Sequence, residues 1–533
     1  MDRARHLRNY GLHSWSGMVL GLFVYVVAFT GCLALFHGEL LSWEDPAKRL
    51  PVAEAPAPID AIFTAWVEET GKGEEVIEFA RLIYPDEHEP YYQGGVNIHD
   101  ADGNHLFIEQ KWDTQTGAPL DTRTEALSLW LLDFHRDLMW PQGLGGRTAG
   151  RTIVGIAGII LMLSILTGVI AHTKIVQEFF TLRYRRSVRL KWQDTHKVVG
   201  LWGLPFFAMI AFTGAVLGVV AILAPIVALL TFKGDQQALL DEVLGKAIEP
   251  AGISAPMLSM DAIADFPHPE TGERPRLVTI ENWGDANARM ELFYPTIELL
   301  NYAIVEIDGV SGEIVADSPA ANLTPANKGV AMMTPLHYGT YGGIWLKFLY
   351  FALGLALAVI TVFGLMMWIE RRLHGNEGAK SQAFYRRLGH MVTGVAVGLP
   401  LASVAIFWLD KLYMGAESAR LFWTGTTYFA VWAAALVYAF IRRQDYRTTR
   451  EAIGLTGLLL AGLPALNAAM TGDTLLGIFG AGHAPSAWVD VVLLLGGIAT
   501  LAVAVRLPKA RQQAKRAKRE RATTPSPALE PAE

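Results

Sequence analysis

The chain is 533 residues long, 52% hydrophobic and only 18% charged, with a formal net charge of -6. That is too apolar for a soluble protein of this size, and an acidic chain is a poor partner for nucleic acid. One cysteine, Cys32, excludes intrachain disulfides, thiolate metal clusters and any covalent attachment through a CxxCH motif.

In chain order, eight stretches are long and apolar enough to cross a hydrocarbon layer: about 15–41, 150–172, 197–231, 343–369, 390–409, 420–441, 453–470 and 487–506. The expected organisation starts with a terminus and first span (1–41), an outward domain (42–149), a second span (150–172), a basic loop (173–195) and a third span (196–231). A second outward domain (232–342), a fourth span (343–370), another basic loop (371–389), a four-span extension (390–506) and a disordered basic tail (507–533) follow. Arg3, Arg5 and Arg8, the two basic loops and the tail all fall on one side of such a fold. By the positive-inside rule both termini are cytoplasmic, with the first span an uncleaved signal anchor. The first long connection carries 20 acidic against 8 basic residues, which suits a translocated domain. The expected fold class is a membrane all-α helical bundle of about eight transmembrane helices, with a duplicated four-helix core and two extracytoplasmic α+β domains.

The duplication is written in the motifs. "LHSWSGMVL" and "THKVVGLWG" place His13 before Gly17 and His196 before Gly200, and Thr30-Gly31 and Thr213-Gly214 follow at matching offsets. Each half then has an Asp-x-x-[Thr/Ser]-Gly turn between strands, in "WDTQTGAP" and "EIDGVSGEI". A histidine element comes next, "DFHRDLMWPQGLGG" and "PLHYGTYGG", leading into spans that carry "LTGVIAH" and "VFGLMMW". The Thr-Gly pairs read as close helix packing. The last four spans, with Pro400 and Pro464 and few ionisable residues, show no third copy and read as scaffold.

Histidine is costly inside a membrane and usually has a task there. His13 and His196 stand at matched depth at the inner ends of the first and third spans. His135 and His337 form the repeat-equivalent outer pair, with His37 as a non-repeated competitor. Two such layers point to two non-covalent haems, each held by axial imidazoles from different helices. Gly17 and Gly200, one turn from their histidines on the same face, leave room for a flat macrocycle. Gly145-Gly146 and Gly342-Gly343 permit close approach at the outer level, where Arg147 and Arg151 are placed to neutralise propionates. A histidine at a helix end is otherwise cheap, and only the duplication lifts these four above that background. His172 and His374 have no repeat partner, Trp368 standing in the place that matches His172. If His13 and His37 marked the two levels, the levels would lie roughly 36 Å apart along a helix. No Gly-x-Gly-x-x-Gly turn after a strand and no P-loop is present, so no flavin or nicotinamide site is expected. A membrane quinol or a separate protein must then deliver electrons.

The order "HSWSG … AFTGCLALFHGEL", "DFHRDL … GG … LTG", "HKVVG … AFTG" and "PLHYG … GG" resembles the PepSY-associated transmembrane proteins over about residues 10–375. The resemblance implies PepSY-type outer domains, two b-type haems, and an oxidoreductase that reduces a ferric siderophore at the periplasmic face during iron uptake. Hard-oxygen chelators hold Fe(III) far better than Fe(II), so reduction is a sensible route to release. Two other classes stay open. One is a haem-free siderophore or iron carrier, disfavoured by the few carboxylates in the spans. The other is a regulatory module whose outer domains bind an extracytoplasmic partner. Tyr91, Tyr92 and Trp112 are candidates for a chelate wall, although aromatic residues in a small α+β domain are more often core.

Overall fold

The structure, a computed structural model, describes all residues except 1–2, 51–52, 54–55, 72–75, 87–88, 100–104, 173, 182, 184–187, 240–247, 296–301, 319–324, 374–377, 481–483 and 508–533. His374 and the basic tail beyond residue 507 therefore lie outside the described residues. The principal elements of the first half are α1 (Arg3–Ala34), α2 (His37–Glu44), α3 (Asp60–Thr70), β1 (Val76–Ile83), β2 (Tyr91–His99), β3 (His105–Asp113), α4 (Leu127–Asp137) and α5 (Gly146–Ala171). The second half follows with α6 (Val188–Trp202), α7 (Leu204–Thr231), α8 (Met260–Ala264), β4 (Leu277–Glu281), β5 (Arg289–Pro295), β6 (Tyr302–Asp308), β7 (Ile314–Ser318), α9 (Pro325–Tyr338) and α10 (Gly343–Leu373). The extension comprises α11 (Ala379–Leu412), α12 (Arg420–Arg442), α13 (Asp445–Thr471) and α14 (Ala484–Arg506).

Eight of these helices, α1, α5, α7 and α10–α14, are long and apolar enough to cross a membrane. The chain is thus a multi-pass membrane protein: a helical bundle with an antiparallel sheet region on one side. We call the sheet side outer and the opposite side inner.

Two spans differ from the expected ones. The first ends at Ala34, and His37 opens the separate helix α2. The third breaks at Gly203, because Pro205 in the first turn of α7 has no N–H to continue the ladder from α6. His196 is therefore carried by α6, ahead of the apolar helix rather than inside it. Where α5 crosses α7, a Cβ on Gly218 would sit 2.4 Å from Gly155 Cα, so only glycine lets the two backbones meet.

The two outer domains share one seven-stranded antiparallel sheet in the order β3-β2-β1-β4-β5-β6-β7. They join edge to edge through β1 and β4, with Arg81 opposite Thr279, which leaves neither domain an open central edge. One face is buried under α3 and α8, where Phe63, Val67, Met260 and Ile263 meet Ala80, Leu82, Val278, Met290 and Leu292. The halves also cap each other's helices. Asp261 accepts from the backbone N–H of Ile59 at 2.7 Å, and Asp60 accepts from that of Met260 at 2.6 Å. The two Asp-x-x-[Thr/Ser]-Gly turns match atom for atom. Asp113 accepts from the N–H groups of Gln115 and Thr116 and from the Thr116 hydroxyl, and Asp308 does the same with Val310, Ser311 and the Ser311 hydroxyl. Gly117 and Gly312 close these turns at φ of 68° and 78°, the left-handed region that glycine enters without strain.

Candidate functional site

At the inner level, His13 on α1 faces His196 on α6, with ring centroids 6.2 Å apart and planes at 65°. His13 Nδ1 lies 2.9 Å from the Ser164 carbonyl oxygen, and His196 Nδ1 lies 2.9 Å from that of Ile360. A carbonyl only accepts, so each Nδ1 carries the proton and each Nε2 is left with its lone pair. Among the described residues neither Nε2 has a hydrogen-bond partner. Both rings line a cavity of 530 Å³, together with Gly17, Gly200, Leu204 and Phe207. A Cβ on Gly17 or Gly200 would meet nothing within 4 Å, so both glycines open onto free space beside their histidines.

The outer level repeats the pair with different carriers. His135 on α4 and His337 on α9 have centroids 6.2 Å apart and planes at 16°. His135 Nδ1 lies 3.0 Å from the Val27 carbonyl and 3.3 Å from the Thr30 hydroxyl. His337 Nδ1 lies 2.9 Å from the Thr213 hydroxyl. That hydroxyl already donates to the Met209 carbonyl at 2.8 Å, so it accepts from His337, and the tautomer is again Nδ1–H.

All four histidines dock on a neighbouring helix through a glycine. A Cβ would lie 2.8 Å from His135 at Gly31, 2.9 Å from His337 at Gly214, 3.1 Å from His13 at Gly168 and 3.2 Å from His196 at Gly364. In three cases the accepting carbonyl stands four residues before that glycine: Val27 and Gly31, Ser164 and Gly168, Ile360 and Gly364. With no Cβ on the helix surface, the imidazole slides in and reaches the carbonyl one turn back. The Thr-Gly pairs thus do more than pack helices. Thr30-Gly31 and Thr213-Gly214 form the seats of the outer histidines, and Gly168 and Gly364 form those of the inner ones. Sequence reasoning missed this role, although the recurrent Thr-Gly signal was in view.

Of the other residues singled out from sequence, His172 and Trp368 line the inner cavity and the rest lie elsewhere. His37, at the start of α2, makes no hydrogen bond, ion pair or ring contact with either pair among the described residues. Its burial pushes the imidazole below its ordinary pKa against the opposing pull of Glu125 and Glu44. Arg147 reaches Asp133 at 2.5 Å and Asp137 at 3.3 Å on α4, so its charge is already met, while Arg151 is exposed one turn further on. Gly145, Gly146 and Gly343 adopt φ of 99°, 55° and 64°: they turn the chain into α5 and α10 rather than giving backbones close approach. His172 lines the inner cavity and lies 3.5 Å from Glu178, and Trp368 lines the same cavity. Tyr91, Tyr92 and Trp112 are buried: Lys111 lies over Tyr91, the Tyr92 hydroxyl bonds the Ala57 carbonyl, and Trp112 packs on Trp66. They are core, not a chelate wall.

The family described as PepSY-associated TM region matches residues 10–371, about two-thirds of the chain. The chain belongs to the PepSY-associated transmembrane family. Among curated proteins it is similar to the uncharacterized protein PA4219 of Pseudomonas aeruginosa, 26% identical over 322 residues, which is 58% of this chain and 80% of that protein. The family match takes in both histidine pairs and the sheet, and stops before α11.

Proposed function

We propose that this PepSY-associated protein is an oxidoreductase with two non-covalent b-type haems, which passes electrons across the membrane and reduces a ferric siderophore or similar ferric chelate on the sheet side. The observation that carries the reading is the recurrence, at both levels, of two imidazoles with protonated Nδ1 and free Nε2 at a centroid separation of 6.2 Å. Two metal–imidazole bonds of about 2 Å with two ring radii of about 1.1 Å give that same separation. Among the described residues no group of three or more His, Cys, Asp or Glu is gathered as for a bare ion. Two imidazoles alone suit a metal whose remaining ligands come from a planar macrocycle, and the inner cavity with its open Gly17 and Gly200 suits that shape.

When bound, haem would supply one-electron Fe(III)/Fe(II) chemistry. The chain's own residues supply the rest. Ser164, Ile360 and Val27 carbonyls and the Thr213 hydroxyl fix each ring's orientation and raise the basicity of its Nε2. Phe207, Leu357 and Ile360, buried beside the inner site, keep water out of the helix core. The levels are also closer than His37 would have placed them. His135 meets α1 at Val27, 14 residues from His13, or about 21 Å along the helix. In a bacterial inner membrane with cytoplasmic termini, a quinol or separate donor protein would meet the inner cavity, and one-electron reduction of the chelate would take place on the periplasmic sheet side.

The test is a reduced-minus-oxidised absorption spectrum of the detergent-purified protein, with haem quantified per chain. Low-spin b-type bands at about two haems per chain are expected. A colourless protein from haem-replete cells would sink the reading.

A further inference from the structure

We propose that the extension α11–α14, which lies beyond the family match, is a clamp that sets the position of His135, with Glu44 as the positioning residue through which it acts. The proposal rests on the reading of His135 as an axial ligand.

His135 is carried by α4, three turns of helix that are too short to be stable alone. Its first turn is held by the buried carboxylate of Glu44. That carboxylate accepts from the backbone N–H groups of Ala126 at 2.7 Å, Leu127 at 2.9 Å and Ser128 at 3.0 Å, and from the Ser128 hydroxyl at 2.7 Å. It satisfies the orphan donors of the helix start and puts negative charge at the positive end of the dipole.

Glu44 is itself fixed from the extension. Lys411 donates to the Trp43 carbonyl at 2.7 Å and the Glu44 carbonyl at 3.2 Å, and its ammonium lies 3.9 Å from the centroid of the Trp43 ring. The Trp43 indole donates to Asp490 on α14 at 2.7 Å, and Asn467 on α13 donates to the other oxygen of that carboxylate at 3.0 Å. A second grip is aromatic. Tyr428 on α12 packs at 4.2 Å from Trp130 and 5.3 Å from Phe134, the residue just before His135. A Cβ at Gly425 would sit 2.9 Å from the Trp130 indole nitrogen, so the extension is shaped to receive that ring. The partner helix α9 is held differently, against α7 and by Tyr350 of α10, whose hydroxyl donates to the Leu336 carbonyl at 2.9 Å.

The experiment compares Glu44→Ala, Glu44→Gln, Lys411→Met and Tyr428→Leu in the full-length protein. One readout is the electron paramagnetic resonance of the haem-loaded ferric protein, with the inner signal assigned by His13→Ala. The other is hydrogen exchange of α4 in haem-free protein. Each substitution is expected to shift or broaden the outer signal, leave the inner one in place, and speed exchange in the first turn of α4 by about tenfold or more. If Glu44→Ala does not fold, Lys411→Met and Tyr428→Leu, which leave the cap itself intact, are read in the same way. Folded variants with unchanged α4 exchange overturn the clamp. Faster exchange with an unmoved outer signal overturns the positioning role and leaves Glu44 a helix cap. A wild type that never binds haem, with α4 exchange still accelerated in the variants, overturns the di-haem reading alone.

Discussion

At the inner level His13 is carried by the first span itself and His196 by α6, which leads into the third, their planes cross at 65°, and both rings line a 530 Å³ cavity. At the outer level His135 and His337 come from helices outside the spans, their planes are nearly parallel at 16°, and both rings press harder on their glycines. The two levels share a docking device and differ in how the histidine is delivered to it. In every case a glycine of a neighbouring helix seats the ring, with a carbonyl one turn before it for three of the four and the adjacent Thr213 hydroxyl for His337. The seat can therefore be duplicated without duplicating the carrier.

The comparison breaks first at the histidines. On the proposed di-haem reading, His196→Ala should remove the inner centre and His135→Ala the outer one, each lowering haem content from about two to about one per chain by extraction assay. Loss of both centres from either single substitution would mean that the levels are not independent. If each pair holds a haem iron, the two ferric signals should also differ, because the imidazole planes that would hold it cross at 65° in one pair and at 16° in the other.

Next come the glycine seats. Gly31→Ala puts a methyl 2.8 Å from His135, and Gly168→Ala puts one 3.1 Å from His13. Overpacking of this kind costs about 1–3 kcal/mol, and the tighter outer contact should lie at the upper end. Thermal melting followed at each centre's absorbance checks the order, and a larger loss for Gly168→Ala would reverse it.

How legible this was depends on which atoms do the work. The eight spans and four paired histidines could be read because apolar length and repeated spacing are side-chain signals. The carbonyls of Val27, Ser164 and Ile360 could not, since every residue has one and only the glycine four places later marks it. The break that moves His196 onto α6 was signalled by Pro205 but lay inside an apolar run that reads as continuous. The sheet shared through β1 and β4 was hidden because the pairing strands are almost 200 residues apart. The segment "SWEDPAKR" after α1 passed as the start of an outer domain. Its partners, Lys411 for the Glu44 carbonyl, Asp490 for Trp43 and, in the turn just after α13, Asp473 for Arg49, belong to the four-span extension, which reads as plain scaffold.

A finer difference separates the two outer histidines. The Thr213 hydroxyl accepts from His337 Nδ1, so Thr213→Val should leave a buried donor unmet, at about 1–3 kcal/mol. Thr30→Val removes only the longer of two contacts and leaves the Val27 carbonyl in place, so it should cost a few tenths of that. The midpoint potential of the outer centre should move with Thr213→Val and barely with Thr30→Val. Equal shifts would mean that the hydroxyl, not the carbonyl, holds His135.

The smallest difference vanishes at neutral pH and shows only in acid. Glu125, just before α4, is shared by Lys48 at 2.7 Å and Lys111 at 2.5 Å. Burial pushes its carboxyl up, but the two ammonium groups outweigh burial and hold it down at about 2, from an ordinary 4.5. A depressed folded-state pKa means that the unfolded chain takes up the proton first. The stabilisation is therefore complete above about 4.5 and is lost as pH falls toward about 2. Glu125 anchors the outer histidine's helix, while on the inner side Asp194, two residues before His196, is likewise held below the usual carboxylate range by its hydrogen bonds from Arg183. On the di-haem reading both spectra should therefore fade in acid, and only the outer one should answer to the Glu125 triad. Lys111→Met, which leaves Lys48 as the remaining partner, should raise the pH at which the outer fading begins. An outer spectrum that does not move with Lys111→Met, or an inner one that moves as far, would show that the acid response of the outer centre is not set at this triad.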